Sequence, residues 1–412
     1  MEHFSPEHGI STLLNHYTEG QNPYHAHVAP IYQTSTFSFP NVATGAAIKS
    51  GEQAGYFYTR VGNPNARQLA LKYAMLEGLD LLKENPTTNV EDVVEGIVFS
   101  SGMAAISAAV LARVETGQTI IAQQSLYSNS FGFLHDIAPQ LGINVVWVKD
   151  VSPEGWMSAL EAHPETLLIF AETPANPTML VVDLRMLAEL ALQYECWLLV
   201  DNTFATPYCQ RPLSLGADVV VHSTTKYLSG HGVIVGGAVI STHLDYIRQD
   251  LVKRLRLLGG APSPFDAWLA NMGLKTFELR MQRHCENALT IARYLQGHPK
   301  VAHVHYPGLE GDPGFATARS QMNCFGGMLS FELKGGLKAG AALMDSLRVA
   351  TLAVSLGNVD TLIQHPASMT HAGVPPQERL KMGISDGLVR LSVGIENVQD
   401  LIADLQYGLS DI

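Results

Sequence analysis

The stretch VHSTTKYLSGHG, residues 221–232, places a lysine where its surroundings favour apolar packing. Lys226 follows three hydroxyl residues, and the run ADVVV at residues 217–221 is typical of a buried strand. The segment SGHGVIVGG at residues 229–237 is rich in glycine and then apolar. Because an ammonium is strongly hydrated, a lysine between two such segments needs either an ion-pair partner or a ligand.

The strand before Lys226 is one of seven short apolar runs between residues 66 and 258. The runs are continuous in Val, Ile and Leu, a pattern typical of parallel strands that are covered on both faces. We therefore predict an α/β fold with a large, doubly wound, mostly parallel sheet of seven strands. In such a sheet, ligands bind at the carboxyl ends of the strands. The runs are EGIVFSS, QTIIAQQS, INVVWVKD, TLLIFAET, CWLLVDNT, ADVVVHST and VIVGGAVIS.

The chain on either side of this sheet predicts two further parts. Residues 1–65 contain extended, proline-punctuated segments, which predict an arm that lies across another part of the protein or across a partner subunit. Residues 66–260 form the sheet domain, and residues 261–412 a smaller C-terminal α/β domain with a short sheet. We expect that domain to contain one long helix over 269–296, strands at GGMLSFEL and GLVRLSVG, and a closing helix at NVQDLIADLQYGL.

Composition narrows the function classes. The chain has 412 residues and a net charge of −12, which argues against a nucleic-acid-binding surface. No stretch suggests a membrane span or a signal peptide, and the four cysteines form no C-x-x-C pair, so we expect a cytoplasmic protein with free thiols. The 16 histidines are scattered, so we expect no metal site.

The residues that follow the strands carry the chemistry. Ser101, Gly102 and Met103 precede an alanine-rich helix, whose free N–H groups could bind an anion, although an ordinary strand-to-helix turn has the same pattern. Tyr127 could stack on a flat ligand or simply pack. Asn176 could donate to a ring oxygen or cap a turn.

One cofactor would use all of these groups. Asp201 ends a very apolar strand, where a carboxylate is either a helix cap or the partner of a cation. Pyridoxal phosphate (PLP) needs a lysine for a Schiff base, a carboxylate near its ring nitrogen, a phosphate cradle and usually a stacking aromatic. Lys226, Asp201 and Tyr127 supply three of these, and the cradle would be Gly102 and Met103 with Ser223 and Thr225. A structural ion pair of Lys226 remains the alternative.

The sequence resembles the transsulfuration family of Cys/Met metabolism, which belongs to the fold-type I, aspartate-aminotransferase-like PLP enzymes. The family includes methionine γ-lyases, cystathionine γ-lyases, cystathionine γ-synthases and O-acetylhomoserine sulfhydrylases. The resemblance extends over nearly the whole chain. It is carried, in order, by YTRVGNPN, SSGMAAI, ETPANPT, DNTFATP, HSTTKYLSGHG, VSLGNVDTLIQHPASMTHAG and GISDGLVRLSVGIE.

The resemblance implies roles for residues around the cofactor. Lys226 would bind PLP and move protons at the substrate's Cα and Cβ. Asp201 would pair with the pyridine nitrogen, and Tyr127 would stack on the ring and assist the leaving group. The phosphate would be held by Ser101, Gly102, Met103, Ser223 and Thr225.

The resemblance also implies a substrate clamp and a shared site. Arg390 would bind the substrate carboxylate beside Ser355 and Asn176, since its planar fork bonds a carboxylate bidentately. Tyr58 and Arg60 would reach the phosphate of a neighbouring subunit. We therefore expect a homotetramer, a dimer of dimers, with active sites completed between subunits.

Val354 bears on the substrate. Cystathionine-handling members often have glutamate here, so an apolar residue favours an uncharged tail, as in methionine. We predict a carbon–sulfur lyase that performs γ-elimination on methionine or a related sulfur amino acid, giving a 2-oxo acid, ammonia and a thiol. Asn129, where methionine γ-lyases typically have cysteine, a short loop after Leu258 and the apparent insertion over 82–95 keep alternatives open: γ-replacement on an O-acylhomoserine, or cystathionine γ-lyase activity.

Two other function classes are disfavoured by the sequence. An aminotransferase on the same fold is disfavoured by the HSTTK and YTR segments, and half-transamination would reveal one. A catalytically silent binding protein is disfavoured by the presence of both Lys226 and Arg390, and a colourless purified protein would reveal one.

Overall fold

The computed structural model describes residues 5–20, 22–369, 372, 376–381, 383–410 and 412. A seven-stranded sheet forms its centre, in the order β1-β7-β6-β5-β4-β2-β3. All neighbours pair in parallel except β7, which is antiparallel to both β1 and β6. The predicted large, mostly parallel sheet is confirmed. Its strands are β1 Glu95–Phe99, β2 Thr119–Gln123, β3 Asn144–Val148, β4 Thr166–Glu172, β5 Trp197–Asp201, β6 Val219–Ser223 and β7 Gly237–Ser241.

Successive residues of β6 show why its apolar run is continuous. Val219 and Val221 belong to a core cluster that contains Ala105 and Ile106. Val220 belongs to a different cluster, together with Tyr73. Both faces of the strand are therefore covered by helices, and both faces need apolar side chains.

The smaller sheet has five strands in the order β10-β11-β12-β9-β8. Strands β9 and β12 are those expected from the sequence, whereas β8, β10 and β11 were not anticipated. Only the β10–β11 pair is parallel. The strands are β8 Val301–His305, β9 Met328–Leu333, β10 Thr351–Leu352, β11 Leu362–Gln364 and β12 Leu388–Ser392.

Helices surround both sheets in the described residues. No helix within the described residues is both long enough and apolar enough to cross a membrane. The α-helices are α1 Ile10–His16, α2 Val42–Ser50, α3 Pro64–Glu77, α4 Leu79–Glu84, α5 Val90–Val93, α6 Gly102–Arg113, α7 Ser128–Gly132, α8 Ala138–Gln140, α9 Pro153–Ala162, α10 Leu184–Gln193, α11 Thr206–Cys209, α12 Val252–Leu258, α13 Pro264–Leu274, α14 Phe277–Gln296, α15 Phe315–Gln321, α16 Gly336–Ser346, α17 Pro376–Lys381 and α18 Val398–Ser410. Short π-helices span Phe133–Ile137 and Tyr246–Leu251, and 3₁₀ turns span Pro212–Leu215 and Pro366–Ser368.

The single helix expected over 269–296 is wrong, because the chain forms α13 and α14 with a break between them. At the break the carbonyl of Gly273 accepts a hydrogen bond from Arg280 Nη2 at 3.0 Å. Arg280 also donates to the carbonyl of Tyr227 at 2.7 Å. A buried guanidinium thus binds backbone oxygens from two segments beside the break.

The beginning of the predicted arm packs more closely on its own chain than we expected. Leu13 and Leu14 of α1 are buried in the core. Lys72 Nζ donates to the carbonyl of Leu14 at 2.7 Å, and Ser11 N donates to Glu278 Oε2 at 2.7 Å. Farther along the arm, residues such as Tyr24 and Val42 are strongly exposed.

Candidate active site

One cavity of about 550 Å³ lies at the carboxyl edge of the large sheet. This volume is ordinary for a site that encloses a small cofactor or substrate. The cavity is lined by all of the predicted site residues except Tyr58 and Arg60: Ser101, Gly102, Met103, Tyr127, Asn176, Asp201, Ser223, Thr225, Lys226, Val354, Ser355 and Arg390.

Lys226 follows β6 and points its amine into the cavity. Its Nζ donates to Ser355 Oγ at 2.9 Å. Burial, and then the positive charge of Arg390, lower the pKa of Lys226 to about 8. A lysine with this pKa is partly neutral near physiological pH, as a nucleophile or a proton acceptor must be.

Asp201 and Glu172 lie side by side, because they are register partners at the ends of β5 and β4. Asp201 is 6% exposed, and its Oδ1 accepts from Thr203 N at 3.0 Å. Burial raises the pKa of Asp201, although the hydrogen bonds from Thr203 oppose the rise. Burial, and then the charge of Asp201, also raise the pKa of Glu172. Two adjacent buried carboxyl groups repel each other when both are ionised, so they are stabilised by a cationic partner or by sharing a proton.

A candidate anion cradle forms where α6 begins. Ser101 caps the helix by accepting from Ala104 N at 3.0 Å, while the first-turn N–H groups have no partner within a helix. A Cβ on Gly102 would stand 2.8 Å from Ser223 Cβ, so only glycine allows this close approach. Thr225 Oγ1 lies beside the cradle and accepts a hydrogen bond from Gly236 N at 3.0 Å. Free amides at a helix N-terminus beside hydroxyl groups suit a phosphate.

Tyr127 stands in the loop after β2 and is 38% exposed in the cavity. Its hydroxyl accepts from Asn129 Nδ2 at 2.9 Å. Its backbone N–H donates to Glu172 Oε2 at 2.8 Å. The ring is therefore held at both ends and open on the cavity side.

Arg390 is 5% exposed and lies on β12 of the smaller sheet. Its Nη1 donates to Asn176 Oδ1 at 3.0 Å, and its Nη2 donates to the carbonyl of Ser355 at 2.6 Å. Its Nε is buried without a hydrogen-bond partner, and no carboxylate among the described residues pairs with it. Burial lowers the pKa of Arg390 to about 10. The guanidinium has the donors and the charge to bind an incoming carboxylate.

Tyr58 and Arg60 lie away from the cavity, on the exposed part of the arm. Arg60 Nη1 donates to the carbonyl of Arg256, and its guanidinium carbon stands 5.4 Å from the centre of the Tyr58 ring. The single chain therefore does not bring these two predicted residues to the other twelve.

Sequence reasoning missed Glu172. Glu172 is the last residue of β4, just as Asp201 is the last residue of β5, but we predicted a role only for Asp201. A carboxylate that ends so apolar a run was the available signal. Gln364 and Ile384, contributed by the C-terminal part of the chain, also line the cavity and were missed, because only the folded chain brings them there.

A family model described as Cys/Met metabolism PLP-dependent enzyme matches residues 11–410. The chain belongs to this family. An L-methionine gamma-lyase of Porphyromonas gingivalis is 45% identical over 406 residues, with 98% of each chain covered. A cystathionine gamma-lyase of Bacillus subtilis is 39% identical, with 93% of this chain and 94% of the relative covered.

Family membership agrees with the solved structures. The cystathionine gamma synthase of Xanthomonas oryzae pv. oryzae, in complex with aminoacrylate and cysteine, superposes with a TM-score of 0.89 at 39% identity, over 98% of each chain. The fold is that of the fold-type I PLP enzymes, and the family's cofactor is pyridoxal 5'-phosphate. The protein is a PLP-dependent enzyme of carbon–sulfur chemistry, which confirms the predicted family, fold and cofactor.

Proposed function

We propose that this enzyme eliminates the γ-substituent of methionine or a closely related sulfur amino acid, releasing a thiol, ammonia and a 2-oxo acid. The observation that carries the proposal is the charge pattern of the cavity. Arg390 offers a cation to the substrate carboxylate, while the only carboxylates that line the cavity among the described residues are Glu172 and Asp201 at the sheet edge. A distal ammonium such as that of cystathionine would find no other acidic partner there.

The residues present fit PLP. Lys226 would hold it, Asp201 would face its ring nitrogen, and Tyr127 would stack on its ring. Its phosphate would lie on the N–H groups of Gly102 and Met103, with Ser101, Ser223 and Thr225 around it. When bound, PLP supplies an electron sink that makes the substrate's Cα–H and Cβ–H bonds acidic.

The chain's own residues divide the remaining work. Arg390 binds the substrate carboxylate with Asn176 and Ser355 beside it, which orients the Cα–H bond. Lys226 Nζ, with its lowered pKa, accepts a proton from Cα, releases it, and then accepts a proton from Cβ. Tyr127 delivers a proton to the departing sulfur, and its hydroxyl is held by Asn129. Val354 forms an apolar wall for the γ-substituent.

A second candidate, γ-replacement on an O-acylhomoserine, is favoured by Asn129. Its amide lies in the cavity beside the Tyr127 hydroxyl, where it could bind an acyloxy leaving group. Supplying methionine, cystathionine or O-acetylhomoserine, each with and without sulfide, separates the candidates. Rapid release of 2-oxo acid from methionine supports γ-elimination. A sulfide-dependent amino-acid product from O-acetylhomoserine, without turnover of methionine, would overturn it.

We also propose that a second copy of the chain completes each site. Tyr58 and Arg60 lie on an exposed arm away from their own cavity, together with exposed apolar residues such as Tyr24 and Val42. We propose a dimer of dimers in which this arm reaches a neighbouring cavity. The four cysteines are free thiols, which supports a cytoplasmic location.

A further inference from the structure

Glu172 is buried at the carboxyl end of the central strand β4, and both of its side-chain oxygens accept hydrogen bonds. Its side chain is held inside the protein with 4% of the residue exposed. Oε2 accepts from Tyr127 N at 2.8 Å, and Oε1 accepts from Asn176 N at 2.8 Å. One carboxylate therefore binds the backbones of two separate loops, each of which carries a side chain of the candidate site.

The anchor of this carboxylate is rigid. Glu172 is the last residue of β4, and its own backbone is fixed by Gln123 at the end of β2. Gln123 Oε1 accepts from Glu172 N at 3.1 Å, and Gln123 Nε2 donates to the carbonyl of Glu172 at 2.8 Å. The loops are thus tied to the ends of two neighbouring strands, and a hydrogen bond of 3.1 Å between Ser125 Oγ and Thr178 Oγ1 also joins them to each other.

We propose that Glu172 is a positioning residue that sets the placement of Tyr127 and Asn176 in the active site. The inference deepens the proposed function and rests on it for the catalytic consequence. Tyr127 would stack on the cofactor, and Asn176 accepts from Arg390 Nη1 at 3.0 Å. One buried carboxyl group therefore holds loops on both the leaving-group side and the carboxylate-binding side of the site. A buried N–H group that loses its hydrogen-bond acceptor costs free energy.

Two substitutions of Glu172 distinguish its hydrogen bonding to the loops from the volume of its side chain. Glu172→Gln keeps the volume but leaves one oxygen, so at least one of the two N–H groups faces an amide nitrogen instead of an acceptor. Glu172→Asp keeps both oxygens on a shorter side chain, which cannot reach both loops as before. Gln should therefore impair the site, and Asp should restore the function of at most one loop.

Asp404 supplies the matched control. It is a buried carboxylate of the C-terminal part, 6% exposed, and it too accepts only backbone N–H bonds. Its partners are Arg348 N at 2.8 Å, Val349 N at 3.0 Å and Ala350 N at 2.9 Å. It does not line the cavity. Asp404→Asn removes the same kind of interaction from a place that touches neither loop.

The first measurement is hydrogen–deuterium exchange of the PLP-loaded protein, which does not depend on turnover. Glu172→Gln should raise uptake in the peptides that contain Tyr127 and Asn176, while Asp404→Asn should raise it only near Ala350. The second measurement is steady-state kinetics with methionine. Misplacing a reacting group by ~1 Å can cost about 100-fold, so Glu172→Gln should lower kcat/KM by about tenfold or more. The Asp404→Asn value should stay within about twofold of wild type.

The possible outcomes test the positioning role of Glu172 and the proposed function separately. Unchanged exchange at both loops would overturn the positioning role. Raised exchange with unchanged kcat/KM and an unchanged absorbance band of the bound cofactor would also overturn it, because Glu172 would then serve stability alone. If wild type bound no PLP and turned over no amino acid, the proposed function would fall with the catalytic half of the inference, and exchange of the unloaded protein would still report the two contacts.

Discussion

Lys226 Nζ donates to Ser355 Oγ at 2.9 Å, and Ser355 holds this position with a backbone φ of 111°. A non-glycine residue with such a φ is strained, by about 1–3 kcal/mol. Arg390 fixes the same residue by donating to its carbonyl at 2.6 Å. The lysine and the guanidinium of the active site therefore meet at one strained serine.

Replacing Ser355 separates its hydroxyl from its backbone. Ser355→Ala and Ser355→Gly both remove the oxygen that orients Lys226, so each should lower kcat/KM by about tenfold, equivalent to about 1.4 kcal/mol. Only glycine relieves the strain, so the Gly variant should be more stable than the Ala variant by on the order of 1 kcal/mol. Urea unfolding of the cofactor-free proteins measures that difference. Equal stabilities would show that the backbone at this position is not strained.

The depressed pKa of Lys226 predicts a pH-dependent stability difference in cofactor-free protein. Its folded-state pKa is about 8 against an ordinary 10.5, so below pH 8 the folded state bears the full cost of a buried charge. At Lys226 the unfolded state binds more protons between these values, so the contribution of this residue to stability should rise with pH across this window. Lys226→Met removes the charge and should stabilise the folded state at pH 7, by on the order of 1 kcal/mol.

The measurement for this variant is urea unfolding of wild type and Lys226→Met at pH 7 and pH 10. The advantage of the variant should shrink at the higher pH, because the wild-type amine is then neutral in the folded state. A constant difference would contradict the lowered pKa.

Much of the site could be predicted because strand ends converge physically. Continuous apolar runs identified β1 to β7, and the parallel order then brings Gly102, Asp201 and Lys226 to one edge. Glu172 escaped although it ends β4 as Asp201 ends β5, because its hydrogen-bond partners lie in two loops that only the folded chain brings together. At the break between α13 and α14, Arg280 binds the nearby carbonyl of Gly273 and the distant carbonyl of Tyr227, and the second contact is not visible in any local pattern.

Very short strands and the packing of the N-terminal helix could not be predicted from the sequence either. Strand β10 has only two residues, Thr351 and Leu352, so it carries no periodicity. Helix α1 packs through Lys72 and Glu278, which are remote in sequence. The domain boundaries near residues 65 and 260 and the role of the 82–95 segment stay predictions.

Substrate choice should depend on Val354. This residue lines the cavity, and 60% of its surface is exposed. An apolar wall suits the methyl group of methionine, worth about 0.8 kcal/mol, and offers nothing to a distal ammonium. Val354→Glu should lower kcat/KM for methionine and raise it for cystathionine. A tenfold shift of the ratio needs about 1.4 kcal/mol of differential binding.

The control for this prediction is Val354→Gln, which has the length of glutamate without its charge. It should lower the methionine value without improving cystathionine. A ratio that does not respond to Val354→Glu, or a wild type that prefers cystathionine, would remove Val354 as the selector.

Arg60 should act on the neighbouring subunit, because in its own chain it bonds to Arg256 and lies away from the cavity. Arg60→Ala and Lys226→Ala subunits should each be inactive. Mixed subunits should regain about a quarter of wild-type activity, because some sites would combine two intact halves. Native mass spectrometry confirms that the subunits exchange. Confirmed exchange without recovered activity would contradict the shared site.

Lys226 should hold pyridoxal 5'-phosphate, and borohydride reduction checks this attachment in a single experiment. The purified protein should be yellow, and reduction should fix the cofactor irreversibly to one lysine. Mass spectrometry of the digested protein should then place the added mass on the peptide that contains Lys226. Label on any other lysine, or no label on a protein saturated with the cofactor, would contradict the account.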